Sequence, residues 1–224
     1  LVAAAVPIAR FAPRDKNKIV LTGNPLRPEV IAARAGPYET PMRGGPLRLL
    51  VFGGSQGARA FSQIVPAAIS RLPHDLKSRL DIVQQCRTED IDTVRAVYAR
   101  ADVRCELAAF FNDLPARMAH AHLVIGRSGA GTVAELMAIG RPAILVPLPH
   151  ALDDNQTPNA DILARANAGW RVAQRDLSPE KLAQMLVEIF ATPAELAARA
   201  ARAKALATPD AAARLADMVE RLAA

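Results

Sequence analysis

The sequence predicts an α/β fold, a doubly wound parallel sheet with helices on both faces. Three observations predict it. From Gly45 to Ala173, short and mostly continuous apolar runs alternate with helix-compatible stretches, as expected for strands covered on both sides. Two glycine-rich turns, Gly53-Gly54-Ser55-Gln56-Gly57-Ala58-Arg59 and Gly126-Arg127-Ser128-Gly129-Ala130-Gly131-Thr132, each follow such a run and lead into a helical stretch. The chain has 224 residues, of which 51% are hydrophobic and 22% charged, values that suit one large folded α/β domain or a domain with fragments of a second.

The strand candidates in order are Leu47–Phe52, Leu80–Gln84, Val103–Leu107, Leu123–Ile125, Ala143–Val146 and Trp170–Ala173. Helices are expected between them at Ala58–Arg71, Thr88–Arg100, Leu114–His120, Thr132–Ile139 and Gln156–Ala166. Gly140 before Pro142, and Gly169 before Trp170, read as helix C-terminal stops. Ser178-Pro179-Glu180 reads as a helix start, with Ser as N-cap and Pro at the first helical position. That helix is expected to run to Phe190, followed by one from Pro193 to about Ala207 and one from Asp210 onward. Upstream, Val2–Val6 and Lys18–Thr22 read as short strands ending in Gly23-Asn24-Pro25-Leu26-Arg27, and Ala32 to Gly45 as a Gly/Pro-rich connection. The chain starts at Leu1 as if already inside a domain, which predicts a fragment.

Composition narrows the function classes. A net charge of +6 and a pI near 9.9 favour an acidic partner such as nucleotide phosphates or an anionic membrane surface. The basic residues are spread among acids with no dense tract, and only 4% of residues are aromatic, so a nucleic-acid partner is not expected. Cys86 and Cys105 lack CxxC spacing and read as reduced thiols, not a zinc site or disulfide framework. No apolar run approaches the roughly 20 residues of a membrane span.

The motifs carry the chemistry. A strand, a small-residue turn and a helix N-terminus form an anion site, because free N–H groups and the positive end of the helix dipole converge there. Backbone N–H groups of Ala130, Gly131 and Thr132, with the Thr132 hydroxyl, are placed to donate to phosphate. Glu135, one turn on, would repel a neighbouring phosphate but suits the paired hydroxyls of a ribose. The alternative is local: Ser128 and Thr132 cap the helix and Glu135 completes a capping box. The other turn lacks the Gly-Lys-Ser/Thr ending of a Walker A loop, and neither turn has the dinucleotide fingerprint. In Asp153-Asp154-Asn155-Gln156-Thr157-Pro158-Asn159-Ala160, the amides of Gln156 and Asn159 both donate and accept, which suits sugar hydroxyls, whereas Asp153 and Asp154 can also serve as N-cap acids. His120 and His122 read as structural, and His150 lies at the functional edge.

Taken together, Gly23 to Arg27, Gly53 to Ala58, Arg127 to Thr132 and Asp153 to Ala160 resemble, in order, the donor-binding half of the MurG family, glycosyltransferases of family 28 with the GT-B fold. The resemblance implies a Rossmann-like donor domain at residues 46–208. It further implies a remnant of an acceptor domain at 1–27, a linker at 28–45, and a last helix at 209–224 that crosses back to the acceptor domain. It implies UDP-GlcNAc as donor, with Ser55, Ala130, Gly131 and Thr132 on the diphosphate and Glu135 on the ribose. The uracil would lie against backbone near Phe111, Gln156 and Asn159 would meet the GlcNAc hydroxyls, Arg127 would sit close to the donor, and Arg27 would lie at the hinge. No cofactor or metal is implied. The acceptor would be lipid I, reached at the cytoplasmic face of the bacterial inner membrane, with inversion at the anomeric carbon and lipid II as product. Its site and the catalytic base would belong to the absent domain, so this chain would bind donor without turnover. Asn155 departs from the His or Gln frequent in relatives, which touches sugar selectivity. Other readings remain open: a sugar-nucleotide-binding subunit of a split transferase, another GT-B lipid glycosyltransferase, or a redox enzyme on a doubly wound fold.

Overall fold

The computed structural model describes residues 2–5, 17–54, 58–149 and 154–223. Strands β1 (Val2–Ala4) and β2 (Ile19–Leu21) pair in parallel as a small two-stranded sheet. The main sheet comprises β3 (Leu47–Phe52), β4 (Leu80–Gln85), β5 (Arg104–Ala108), β6 (Leu123–Gly126), β7 (Ala143–Leu145) and β8 (Trp170–Arg171). All its pairings are parallel, in the order β5-β4-β3-β6-β7-β8. Chain order therefore runs outward in one direction from β3 and in the other from β6, and the reversal falls between these two central strands.

The continuous apolar runs still alternate in direction. Leu47, Leu49, Val51, Leu123, Ile125 and Ile144 enter one core, with α2 (Arg59–Ser70), α4 (Ile91–Arg100) and α8 (Pro179–Phe190). Leu50, Phe52, Val124, Ala143 and Leu145 enter the other. That second core is closed by α1 (Pro28–Ala33), α5 (Leu114–His120), α6 (Ala130–Ile139) and α7 (Gln156–Arg165). Helix α9 (Pro193–Ala205) contributes Leu196 to the first core and Ala203 to the second. Two-sided burial is why these strands show no polar alternation in sequence.

Several boundaries differ from expectation. The stretch expected as a linker carries α1, with Pro28 at its start, Glu29 in its first turn and Val30 fully buried. The short helix α3 (His74–Lys77) was not expected, and Thr88–Arg100 divides into a 3-10 turn at Thr88–Asp90 and α4. Helix α6 starts at Ala130, two residues earlier than expected. Gly140 ends it in the left-handed region, at φ 74°. Gly169 has a different role: α7 ends before Asn167, which takes φ 50°, and a Cβ on Gly169 would stand 2.6 Å from the Ala143 carbonyl oxygen. It is needed for close strand approach, not for a cap. Ser178 caps α8 as expected, its Oγ accepting from the Lys181 N–H at 3.2 Å. The chain continues to α10 (Ala211–Ala223).

Candidate functional site

In an open parallel sheet, ligands bind beyond the C-terminal strand ends where the strand order reverses. Here that point lies between the exits of β3 and β6, which are the two glycine-rich turns. Gly126 pairs with Phe52 on the last rung between these strands, so both turns start side by side.

The second turn presents donors. Gly129 is the N-cap of α6 and no side chain caps it. The first helical bond runs from the Val133 N–H to the Gly129 carbonyl, leaving the N–H groups of Ala130, Gly131 and Thr132 without intrahelical acceptors. The capping-box alternative is not realised: the Ser128 hydroxyl donates to the Gln156 carbonyl, and Glu135 faces Arg27.

A cavity of about 260 Å³ opens beside this helix start. Half of the expected ligand-binding residues line it, namely Arg27, Phe111, Gly131, Thr132 and Glu135. Arg27 Nη2 donates to Glu135 Oε1 at 2.9 Å. Arg27 is 58% exposed and Glu135 14%, so the carboxylate is the sheltered partner. The opposite wall is the loop after β5. There Phe111 packs its ring under the Arg117 guanidinium, whose carbon lies 4.3 Å from the ring centroid. Arg117 also donates to Glu106 Oε2 at 2.6 Å and to Asp113 Oδ1 at 2.7 Å. These bonds, with Glu106 the stronger influence, push the Arg117 pKa up, and Arg117 in turn holds the Asp113 carboxyl below its usual range. The helix start at Gly131 and Thr132, the Glu135 carboxylate on the same helix and its partner Arg27 thus border one hollow.

The remaining expected residues stand elsewhere. Arg127 is buried and committed to the protein, donating to the Val146 and Pro147 carbonyls and to Gln174 Oε1 at 3.2, 3.1 and 2.6 Å and lying over the Phe61 ring. Burial lowers its pKa. Gln156 Oε1 accepts from the N–H groups of Ser128 and Leu148, and the buried Asn159 donates through Nδ2 to the Ser128 carbonyl at 3.0 Å. Both amides tie the start of α7 to the second turn, while Gln156 Nε2 takes no part in these contacts. Ser55, Asp153 and His150 lie outside the described residues. Two larger hollows exist, one of about 390 Å³ beside Arg48, Asp81 and Glu106 and one of about 440 Å³ beside Arg171, Gln174 and Arg175. Neither includes the helix start, so size does not decide the site. Among the described residues, no group of three or more His, Cys, Asp or Glu is arranged to hold a metal ion.

Sequence reasoning missed Gln85 and Arg117, both of which shape this cavity. The Arg117 signal was legible as a spacing, Asp113 and Arg117 at i,i+4. Gln85 carried no local signal.

Residues 48–215 match the model of the glycosyltransferase family 28 C-terminal domain. The chain belongs to this family. It is 55% identical over 206 residues to a UDP-N-acetylglucosamine--N-acetylmuramyl-(pentapeptide) pyrophosphoryl-undecaprenol N-acetylglucosamine transferase of Rhodopseudomonas palustris strain BisA53, covering 92% of this chain and 55% of that protein. A protein of the same name from Nitrobacter winogradskyi is 54% identical over 211 residues, covering 94% of this chain and 57% of the relative. The crystal structure of Acinetobacter baumannii MurG superposes with a TM-score of 0.80 at 30% identity, covering 99% of this chain and 60% of that one. The family 28 chain thus has a MurG-like fold and spans little more than half the length of the curated relatives it matches.

Proposed function

We propose that this family 28 chain forms the donor-binding half of a UDP-GlcNAc-dependent transferase that glycosylates lipid I to give lipid II. The observation that carries the reading is the cavity in which the free N–H groups of α6, the carboxylate of Glu135 and the loop at Phe111 meet. The names of the relatives support the donor and acceptor. In this reading Gly131 and Thr132, with Ala130 and Ser55, receive the diphosphate. Glu135 takes the ribose hydroxyls, the main chain at Phe111 receives the uracil, and Arg27 steadies Glu135 from the hinge segment. Among the described residues Gln156 Nε2 has no hydrogen-bond acceptor, and it is the group offered to the sugar, while Asn159 and Arg127 hold the turn that presents it.

The acceptor C4 hydroxyl attacks the anomeric carbon as the bond to the diphosphate breaks, and the configuration inverts. Negative charge grows on the departing UDP, where the N-terminus of α6 stabilises it. The proton of the hydroxyl passes to a base outside this chain, in the portion of the relatives it does not span. Residues 46–208 form the donor domain in this proposal, 1–27 belong with the acceptor domain, 28–45 join them, and 209–224 return to the acceptor side. The basic character of the chain supports approach to an anionic membrane surface at the cytoplasmic face.

Calorimetric titration of the chain with UDP-GlcNAc, UDP-glucose and NADH tests the reading. UDP-GlcNAc is expected to bind best and NADH not at all. Binding of NADH alone would overturn the proposal, and equal affinity for the two sugar nucleotides would move it to another lipid glycosyltransferase.

A further inference from the structure

We infer that Gln85 is a positioning residue that sets the width of the nucleoside end of the cavity, holding the loop after β5 at a fixed distance from the turn after β3. Gln85 is the last residue of β4, between β3 and β5, and is only 5% exposed. The β4–β5 ladder ends with the pair Gln85 and Ala108, and the β3–β4 ladder one residue earlier, with Val51 and Gln84. After the last backbone bond, from the Cys86 N–H to the Ala108 carbonyl, the Gln85 side-chain amide adds one bond to each neighbouring segment. Its Oε1 accepts from the Gly53 N–H at 3.2 Å, and its Nε2 donates to the Ala109 carbonyl at 3.0 Å.

Each of these contacts leads to one side of the cavity. Gly53 precedes Gly54, and Ala109 precedes Phe110 and Phe111, and all but Gly53 and Ala109 line the hollow along with Gln85 itself. One planar group therefore spans two loops with a donor at one end and an acceptor at the other. Few side chains satisfy this: a carboxylate lacks the donor, an apolar chain lacks both, and Asn is one methylene short. Without this bridge the N–H of the half-buried Gly53 and the carbonyl of the exposed Ala109 turn to water instead, and the two loops lose the group that fixes their spacing. The diphosphate end rests mainly on the N-terminus of α6, which Gln85 does not touch, and only in part on the turn after Gly53, so the residue acts more on base and ribose binding than on phosphate binding.

The inference rests on the proposed nucleotide site, and the experiment separates the two. Calorimetry with UDP and with inorganic pyrophosphate is run on the unsubstituted chain, Gln85→Met and Gln85→Glu, with amide hydrogen exchange on each. For Gln85→Met, UDP affinity is expected to fall about tenfold, as when the competent spacing is populated one time in ten, with a clearly smaller loss for pyrophosphate. Gln85→Glu keeps the acceptor for Gly53 but sets an oxygen against the Ala109 carbonyl. Exchange is expected to rise at 109–112 and not at Gly53, and this variant decides the matter if Gln85→Met does not fold. Unchanged UDP affinity in a folded variant, or an equal loss for pyrophosphate, overturns the inference alone. Failure of the unsubstituted chain to bind UDP removes the site reading, and this inference with it.

Discussion

At the residue scale, the proposal rests on Glu135. Its neighbours on the first turn of α6 offer uncapped N–H groups, yet a carboxylate next to a phosphate is repulsive, so the proposed place of Glu135 is one step further out, at the ribose. Glu135→Ala is expected to weaken UDP binding more than tenfold, about 1.4 kcal/mol or more for a lost charge-assisted pair of hydrogen bonds. Pyrophosphate binding should hold or improve, because a negative charge has been removed. Calorimetry with both ligands checks this, and unchanged UDP affinity would take Glu135 off the ribose. Folding stability should move by less than ~1 kcal/mol, because the partner Arg27 is mostly exposed. The types of these residues were readable in sequence, but their directions were not. Sequence could not show that Arg127 donates to the Val146 carbonyl or that Asn159 donates to the Ser128 carbonyl. Nothing local could show that Arg27 reaches Glu135 across 108 residues.

At the scale of elements, the loop after β5 is held by Arg117. The guanidinium lies over Phe111 and bonds Glu106 on β5 and Asp113 at the start of α5. Arg117→Ala is expected to cost about 1 kcal/mol of stability from the stacked and paired contacts, which are partly solvated. Its larger effect should be several-fold weaker UDP binding with faster amide exchange at 109–113. Unaltered exchange there would mean that the clamp does not order the loop. The central strands of this sheet were legible because β3, β6 and β7 are mostly apolar runs, and β3 occupies the predicted range. Helix α1 was not, because Pro, Gly and Arg around it read as a connection. Its one fully buried side chain, Val30, gains its place from α5 and α6 and not from periodicity.

At the scale of the whole molecule, the segment after α1 is fastened to the ends of the strands opposite the site. The buried Arg141 guanidinium donates to carbonyls of Pro37, Met118, Ala119, Ile139 and Gly140, and burial pushes its pKa down to about 10. Beside it, His122 Nδ1 accepts from the Arg48 N–H at 3.0 Å and the Tyr38 hydroxyl donates to the His122 carbonyl. Burial first, and Arg48 second, hold the His122 pKa down to about 4 from an ordinary 6.5. Protonation would set a proton against the Arg48 N–H. The unfolded chain therefore takes up a proton before the folded one, and stability is complete above pH 6.5. It should fall by on the order of 2–3 kcal/mol as pH drops from about 6.5 to about 4. Urea unfolding across this range checks it, with His122→Gln expected to flatten the slope; parallel slopes in the two proteins would exclude His122 as the cause.

The account turns on where a uridine diphosphate sugar sits. Titrating the isotopically labelled chain with UDP-GlcNAc and following its amide resonances locates the ligand directly. The expected shifts concentrate at Ala130, Gly131 and Thr132 and at Phe111 and Asn112, and are reproduced without the Phe111 set by pyrophosphate. Shifts gathered instead around Arg171 and Arg175, or none at all at saturating ligand, would contradict the site.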